Sequence, residues 1–151
     1  MTISASENNA VSAMNEARIV AELHQLFEQY GPTFVDLATG KRSDVDALLA
    51  FYGAPLRYIG PTFHIVMKDD ATITGPDGMG GEIERLRQAN FAGSTLDKCD
   101  IRVLNSRAAL VDASWLRRDT SGEIMARFAV LYLMALTTEG WRITSVINTA
   151  V

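Results

Sequence analysis

The chain has 151 residues, of which 48% are hydrophobic, and a net charge of −4, so it can form one domain with a sizeable core and is too apolar to be disordered. The negative charge disfavours binding to nucleic acid, and without a long apolar run or a secretory signal we expect a cytoplasmic protein with no membrane partner. Because it has only 2 histidines and 1 cysteine, we expect no disulfide, no metal site and no cofactor.

The first half of the chain reads mainly as helix. Residues 1–9 are polar and small and are expected to form a flexible tail, followed by a single domain over 10–151. The Gly31-Pro32 pair should break or kink the first helix, with a turn or two beyond it before Gly40. The apolar face of that helix has helical spacing and consists of Ile19, Leu23, Leu26, Phe27 and Tyr30.

A second helix is predicted from a capping box formed by Ser43 and Asp46, and Gly53 is predicted to end it. Two short strands, 56–59 and 63–67, follow around a Gly60-Pro61 turn. We then expect a turn at 68–70 and a weak strand at 71–74.

A glycine-rich segment, GPDGMGG at residues 75–81, opens a third helix predicted over about 79–91 and ended by Gly93. It invites interpretation as a phosphate-binding loop. However, Ile83 stands where the dinucleotide fingerprint needs glycine, and no Lys-Ser/Thr pair follows. A turn entering a helix is the better prediction.

The last part of the chain predicts four strands, at 95–104, 108–118, 123–136 and 141–149, joined by loops of hairpin length. Helices followed by a strand meander indicate an α+β fold. Symmetric hairpins, with Arg118 opposite Glu123 and Leu136 opposite Trp141, sort the side chains onto two faces. The inner face, which should meet the helices, collects Ala109, Val111, Ala113, Trp115, Phe128, Val130, Tyr132, Met134, Trp141, Ile143, Ser145 and Ile147, joined by Cys99, Ile101 and Val103 if the preceding hairpin is symmetric.

The outer face has an apolar centre with charged residues around it, and comprises Leu110, Asp112, Ser114, Leu116, Arg127, Ala129, Leu131, Leu133, Arg142, Thr144 and Val146. This pattern is typical of a protein–protein contact. We therefore predict a homodimer whose interface contains Asp112, Arg127, Ala129, Leu131, Leu133, Arg142 and Val146. Asp112 and Arg127 should lie close enough to form an ion pair. The alternative is that another element, such as the N-terminal helix, covers this face.

The element order resembles the nuclear-transport-factor-two-like superfamily over about residues 16–149, most clearly in the run ALVDASWLRRDTSGEIMARFAVLYLMALTTEGWRI. That superfamily includes SnoaL-type polyketide cyclases, ketosteroid isomerases and many bacterial proteins. The resemblance implies a cystatin-like cone, in which N-terminal helices pack on a strongly curved antiparallel sheet. It also implies a small-molecule pocket between the sheet and the helices.

The resemblance also argues against ketosteroid-isomerase chemistry. Phe34 stands where those enzymes have the oxyanion-hole tyrosine. The residue before proline, where they have the base aspartate, is Gly60 or, in the other alignment, Gly75. Abstraction of a proton next to a carbonyl needs both a base and a group that stabilises the enolate.

Candidate ligand-binding residues combine an apolar body or a small side chain with a polar tip or an aromatic ring, and they are Tyr52, Tyr58, Trp115, Arg117, Phe128, Tyr132 and Ser145. Ordinary core packing is the alternative for each of them. Arg117 could hold a carboxylate, or could be solvated at the sheet edge. Cys99 is expected to be a buried, inert thiol.

Three functions remain open from the sequence. The first is binding of a small apolar or amphipathic molecule, with no reaction identified. The second is a SnoaL-like cyclase, dehydratase or isomerase that uses His64 or a tyrosine such as Tyr132 for proton transfer. The third is a dimeric interaction module without a ligand. His64 could equally be an exposed strand residue.

Overall fold

The computed structural model describes residues 5–149, with side chains from residue 12 onward. This part of the chain contains three α-helices, one 3-10 helix and six strands. The elements in chain order are α1 (Ala5–Ala38), the 3-10 helix (Val45–Ala50), β1 (Tyr52–Ile59), β2 (His64–Met67), α2 (Asp70–Thr74), α3 (Met79–Gln88), β3 (Phe91–Asn105), β4 (Ala108–Asp119), β5 (Ile124–Thr137) and β6 (Gly140–Asn148). Among these elements, no helix combines the length and the apolar character needed to cross a membrane.

The six strands form one curved, open sheet in the order β2-β1-β6-β5-β4-β3. Neighbouring strands are antiparallel except β1 and β6, which run parallel. Register shifts interrupt the β3–β4 ladder at three places, and such bulges bend a strand and increase its twist. With α1 packed on one face of the sheet, the predicted α+β architecture is confirmed.

The sequence predicts that Gly31-Pro32 either breaks or kinks the first helix. Helix α1 runs through Pro32 without a break. Its buried stripe faces the inner face of the sheet and consists of Ile19, Leu23, Phe27, Tyr30, Phe34, Leu37 and Ala38. The helix already begins at Ala5, inside the segment predicted as a tail. Residues 1–4 of that tail lie outside the described residues.

The predicted capping box at Ser43 is wrong. Asp44 is the residue that precedes the 3-10 helix, and its side chain makes no cap hydrogen bond. Its carboxylate accepts hydrogen bonds from Arg42 Nε and Nη2 at 2.9 and 2.6 Å instead. Gly53 lies inside β1, where a Cβ would be 3.0 Å from Cβ of Arg142, so glycine permits close strand packing rather than ending a helix.

The predicted weak strand at 71–74 is also wrong, because these residues belong to the short helix α2. Asp69 caps this helix, since its carboxylate accepts hydrogen bonds from the Thr72 amide at 2.8 Å and the Thr72 hydroxyl at 2.5 Å. Helix α3 ends at Gln88, shortly before Asn90, whose φ of 61° lies in the left-handed region.

The glycine-rich segment allows the backbones of α2 and α3 to approach closely. A Cβ at Gly78 would lie 2.1 Å from the Thr72 carbonyl oxygen, and a Cβ at Gly80 would lie 2.0 Å from the Thr74 carbonyl oxygen. Real side chains never approach this closely, so glycine is required for packing there. The segment is explained without a phosphate ligand.

The two faces predicted for β4 and β5 are confirmed, although the hairpin does not close as expected. Arg118 pairs with Ile124 rather than Glu123, and the ladder beyond is displaced by two residues from the symmetric register. A displacement of two preserves the alternation of side chains between faces. The inner-face pairs are Ala109–Met134, Val111–Tyr132, Ala113–Val130 and Trp115–Phe128, extended onto β3 by Cys99, Ile101 and Val103.

On β6 the face prediction fails after Ile143. Leu136 pairs with Trp141 as predicted, but the register shifts by one residue between Leu133 and Met134. A one-residue shift moves every later side chain to the opposite face. Val146 therefore pairs with Tyr132 on the inner face, whereas Ser145 and Ile147 pair with Leu133 and Leu131 of the outer face.

The outer-face pairs on β4 and β5 are otherwise as predicted: Leu110–Leu133, Asp112–Leu131, Ser114–Ala129 and Leu116–Arg127. Because α1 packs on the inner face, the alternative that it covers the outer face is wrong. The predicted ion pair between Asp112 and Arg127 does not form, since the Asp112 carboxylate binds Lys98 Nζ at 3.0 Å. Arg142 donates from Nε to the Leu49 carbonyl at 3.1 Å.

Candidate functional site

A cavity of about 40 Å³ lies between α1, α3 and the inner face of the sheet, and we call it the inner chamber. Six of the seven candidate ligand-binding residues line it: Tyr52, Tyr58, Trp115, Arg117, Phe128 and Tyr132. Ser145 does not, because the bulge in β6 turns it to the other face. Val146, predicted at the dimer interface, lines the chamber in its place.

Two larger spaces adjoin the inner chamber. One, of about 290 Å³, shares Tyr58, Met79 and Glu82 with it, and we call it the outer chamber. The other, of about 490 Å³, is a groove between α1 and β3 that shares Gly31, Ser94 and Trp115 with the inner chamber. The inner chamber is smaller than an ordinary small-molecule pocket of roughly 300–1,000 Å³. A ligand could therefore place only one end there and its body in an adjoining space.

Aromatic hydroxyls and an indole form hydrogen bonds at the chamber wall. Tyr30 and Tyr52 join through their hydroxyls, and Trp115 Nε1 donates to the Tyr132 hydroxyl at 2.9 Å. Burial raises the pKa of Tyr30, Tyr52 and Tyr132 well above the usual value of 10.0. Because pH 7 is already roughly three units below the pKa of an unperturbed tyrosine, these hydroxyls are neutral at that pH. They act as hydrogen-bonding groups rather than as bases.

Arg117 brings a positive charge into this aromatic surround. Its guanidinium carbon lies 4.6 Å from the centroid of the Phe128 ring and 5.8 Å from that of Phe34, and its side chain is only 19% exposed. Its Nε is buried and has no hydrogen-bond partner within the described chain. The solvated edge position considered from the sequence is therefore wrong.

The carboxylate nearest to Arg117 is shared with a second cation. Arg117 Nη1 lies 3.4 Å from Glu82 Oε1, while Arg85 Nη2 lies 3.0 Å from Glu82 Oε2. Directly opposite Arg117 on β3 is Ser94, which also lines the inner chamber. A positive charge, a free N–H donor and a neighbouring hydroxyl thus meet at one end of the chamber.

His64 lies apart from this site. It is exposed on the edge strand β2, pairs with Ile59, and its Nε2 lies 3.1 Å from Arg57 Nη1. It lines neither the inner nor the outer chamber. Of the two candidates for proton transfer, only Tyr132 reaches the inner chamber, and its hydroxyl is protonated at neutral pH.

The positions that would carry isomerase chemistry are accounted for by packing. Phe34 presents an aromatic ring, not a hydroxyl, to the inner chamber. At Gly60 a Cβ would lie 2.3 Å from the Phe63 ring, so the turn between β1 and β2 has no room for an aspartate unless Phe63 moves. Cys99 is only partly buried, not fully buried as predicted, and lines the α1–β3 groove; burial raises the pKa of its thiol, which favours the less reactive protonated form.

Sequence reasoning missed several chamber residues, among them Tyr30, Glu82 and Ser94. Helical spacing places Tyr30 only in the apolar stripe of the first helix, although a buried tyrosine hydroxyl usually needs a partner. Ser94 lies one residue before the strand predicted at 95, and extending that strand would have paired it with Arg117. Glu82 carries no signal, because a glutamate on a short helix is normally solvated.

Comparison with known proteins places these features in a family context. Residues 21–151 match the family model described as "NTF2-like protein (DUF6841)". A comparison with curated protein sequences gives no significant match.

Solved structures of similar proteins share the fold. An NTF2-like protein with a cystatin-like fold from Novosphingobium aromaticivorans superposes with a TM-score of 0.65 at 20% identity, covering 98% of this chain and 90% of that chain. An NTF2-like superfamily protein from Salmonella enterica gives 0.63 at 16% identity, with coverages of 89% and 92%. A third, from N. aromaticivorans and provisionally named a scytalone dehydratase, gives 0.63 at 12% identity, with coverages of 91% and 89%. At these identities the similarity establishes the cystatin-like fold and nothing finer.

Proposed function

This chain belongs to the NTF2-like protein family DUF6841, and we propose that it binds a small, mostly apolar molecule between α1, α3 and the inner face of the sheet. One observation carries the proposal: aromatic side chains with polar tips converge on the inner chamber with a largely buried guanidinium whose Nε has no partner in the described chain. Ligand pockets typically combine an apolar wall with a few convergent polar groups.

The sizes of the two chambers suggest how the molecule would lie. The inner chamber of about 40 Å³ has room for a group of a few atoms, whereas the outer chamber of about 290 Å³ can hold a ring or a short chain. Phe63, Ile65 and Met67 give the outer chamber an apolar wall. An amphipathic molecule with a polar end inside and an apolar body outside fits both.

We assign no reaction to this site. The enzymatic alternative required His64 or a tyrosine near a second titratable group, and His64 is outside the chamber. The buried tyrosines can donate a hydrogen bond, but they are not bases near neutral pH. No specific observation favours a cyclase, dehydratase or isomerase over simple binding.

A homodimer through the outer face remains part of the proposal. Leu110, Leu131 and Leu133 form an apolar strip on this face and are only partly buried. Lys98, Asp100 and Arg102 on β3 and Asp112 on β4 border the strip on one side, with Lys98 Nζ 3.0 Å from the Asp112 carboxylate, and Arg127 on β5 lies toward its other end. An apolar centre with a rim of positive and negative residues is typical of protein–protein interfaces, and a two-fold contact through this strip is self-complementary, which supports a second copy as the occupant.

The binding proposal is tested by NMR titration of the full chain with cinnamyl alcohol, a neutral amphipathic probe, following the two indole N–H signals. The Trp115 indole lies at the chamber wall, whereas the Trp141 indole donates to Glu22 Oε2 at 3.0 Å and serves as an internal control. We expect the Trp115 signal to shift saturably and the Trp141 signal to stay fixed. A Trp141→Phe variant assigns the two signals.

A pair of matched substitutions locates the binding. Ser94→Phe adds a ring at the chamber and should abolish the Trp115 shift. Thr95→Phe adds the same ring at the next residue, which is exposed and pairs with Leu116 of the outer face, and should leave the shift intact. Equal shifts of both indoles, or none at saturating probe, would rule out binding in the chamber.

A further inference from the structure

We infer that the ligand is an amphipathic carboxylate, an apolar or aromatic molecule whose anionic end is bound by Arg117. This inference rests on the proposed function and names the chemical class of its ligand. It follows from the charge, the free donors and the walls of the inner chamber.

The first step is the charge balance. Arg117 is the cation lining the inner chamber, and Glu82 is the carboxylate lining it. Glu82 holds Arg85 at 3.0 Å and Arg117 only at 3.4 Å, so one carboxylate faces two guanidinium groups. A largely buried cation that lacks a full counter-charge is costly, and an incoming anion lowers that cost. A neutral ligand would not lower the cost of burying this charge.

The second step is the geometry of the donors. Nε of Arg117 is buried without a partner in the described chain, although a guanidinium forms its strongest contacts as a planar fork to both oxygens of a carboxylate. The Phe128 ring at 4.6 Å restricts the movement of that fork. Ser94, paired with Arg117 across the β3–β4 ladder, lines the same chamber and offers a hydroxyl to the same ligand.

The third step concerns the rest of the molecule. The chamber walls around this anion site are aromatic, with Phe34, Tyr58 and Trp115 among them. Burial keeps the pKa of Tyr58 raised above its usual value, so its hydroxyl adds no negative charge that would repel an anion at neutral pH. The apolar wall of the outer chamber then accepts an apolar body, which excludes small inorganic anions as the preferred ligand.

The test compares two probes of the same shape by isothermal titration calorimetry near neutral pH: cinnamate, which is an anion, and cinnamamide, which is neutral. We expect the wild-type protein to bind cinnamate at least about tenfold more tightly, since bonds between charged groups are about twice as strong as neutral ones. Arg117→Met should abolish this preference while changing the affinity for cinnamamide by no more than about threefold.

Two further variants separate a specific contact from a general charge effect. Arg118→Met removes the same charge at the adjacent, exposed residue and should leave the preference unchanged. Glu82→Gln removes the competing carboxylate and should tighten cinnamate but not cinnamamide. If Arg117→Met fails to fold, Arg117→Lys keeps the charge but loses the fork, and should reduce the preference.

The outcomes distinguish the two levels of the proposal. If the wild type binds both probes equally, and both shift the Trp115 indole signal, the chamber binds ligands but the carboxylate inference is overturned. The same follows if Arg118→Met lowers the preference as much as Arg117→Met. If neither probe nor cinnamyl alcohol shifts the Trp115 signal, the proposed function itself fails.

Discussion

The guanidinium of Arg117 stacks on the Phe128 ring with its carbon 4.6 Å from the ring centroid. The two residues lie on adjacent strands but are not paired directly. Arg117 on β4 pairs with Ala126, and Phe128 on β5 pairs with Trp115. A cation held against an aromatic face gains energy from the ring quadrupole while remaining available to a ligand. This stack explains how a largely buried arginine is kept in a chamber where its nearest carboxylate is shared.

Arg117→Met should leave the free energy of unfolding unchanged within about 1 kcal/mol, or raise it, because an apolar side chain of similar size removes the cost of burying the charge. Glu82 keeps its contact with Arg85 at 3.0 Å, so the substitution leaves no isolated carboxylate. Urea unfolding followed by circular dichroism measures the change. A loss of several kcal/mol would mean that Arg117 serves stability rather than binding.

Tyr132→Phe should destabilise the protein by about 1–3 kcal/mol, because it leaves the Trp115 indole N–H buried without its acceptor. The double variant with Trp115→Phe removes donor and acceptor together. Its loss should be smaller than the sum of the two single losses, as expected for residues in contact. Additive losses in urea unfolding would show that the hydrogen bond contributes no coupling energy.

Stability should fall in alkaline solution because of the buried tyrosines. Tyr30, Tyr52 and Tyr132 have folded-state pKa values well above the usual 10.0, mainly through burial. Above about pH 10 the unfolded chain loses these protons while the folded chain retains them, so the free energy of unfolding decreases as pH rises and is unaffected below that range.

Urea unfolding at a series of pH values measures this decline. Tyr52→Phe removes one titrating hydroxyl and should make the decline shallower than in the wild type. A stability that is level from neutral pH to well above pH 10 would contradict the burial of the hydroxyls.

The outer face is tested by Leu131→Asp, which puts a charge at the centre of its apolar strip. We expect sedimentation velocity to show a dimer for the wild type and a monomer for the variant, since an unpaired charge at an interface core is costly. Ile65→Asp is the matched control, because Ile65 is 39% exposed and pairs with Tyr58 on the inner side. A wild-type monomer at micromolar concentration would overturn the dimer proposal.

The sheet faces were predictable because side-chain alternation survives an even error in register. The β4–β5 ladder is displaced by two residues from the symmetric hairpin, and Trp115 and Tyr132 still share the inner face. The bulge in β6 was not predictable, because Ser145, Val146 and Ile147 read as strand in either register. Alpha-helix α2 could have been found from the capping pair Asp69 and Thr72, but its β-branched residues favoured a strand.

The candidate site was predictable as a set of inner-face residues, but not as a chamber with a charged end. Arg117 continues the inner-face alternation of Ala113 and Trp115 along β4, whereas its burial depends on Phe34 from α1 and Phe128 from β5. The shared carboxylate depends on where α3 packs, which no local pattern encodes. Long-range packing therefore decided the chemistry that the sequence left open.

A crystal structure of the protein with cinnamate decides whether Arg117 binds the carboxylate of an amphipathic ligand. We expect electron density for the probe with its carboxylate within about 3 Å of the Arg117 guanidinium and its ring against Tyr58 and Met67 in the outer chamber. Density for cinnamate elsewhere on the surface, with the inner chamber closed by its own side chains, would show that Arg117 does not bind the ligand.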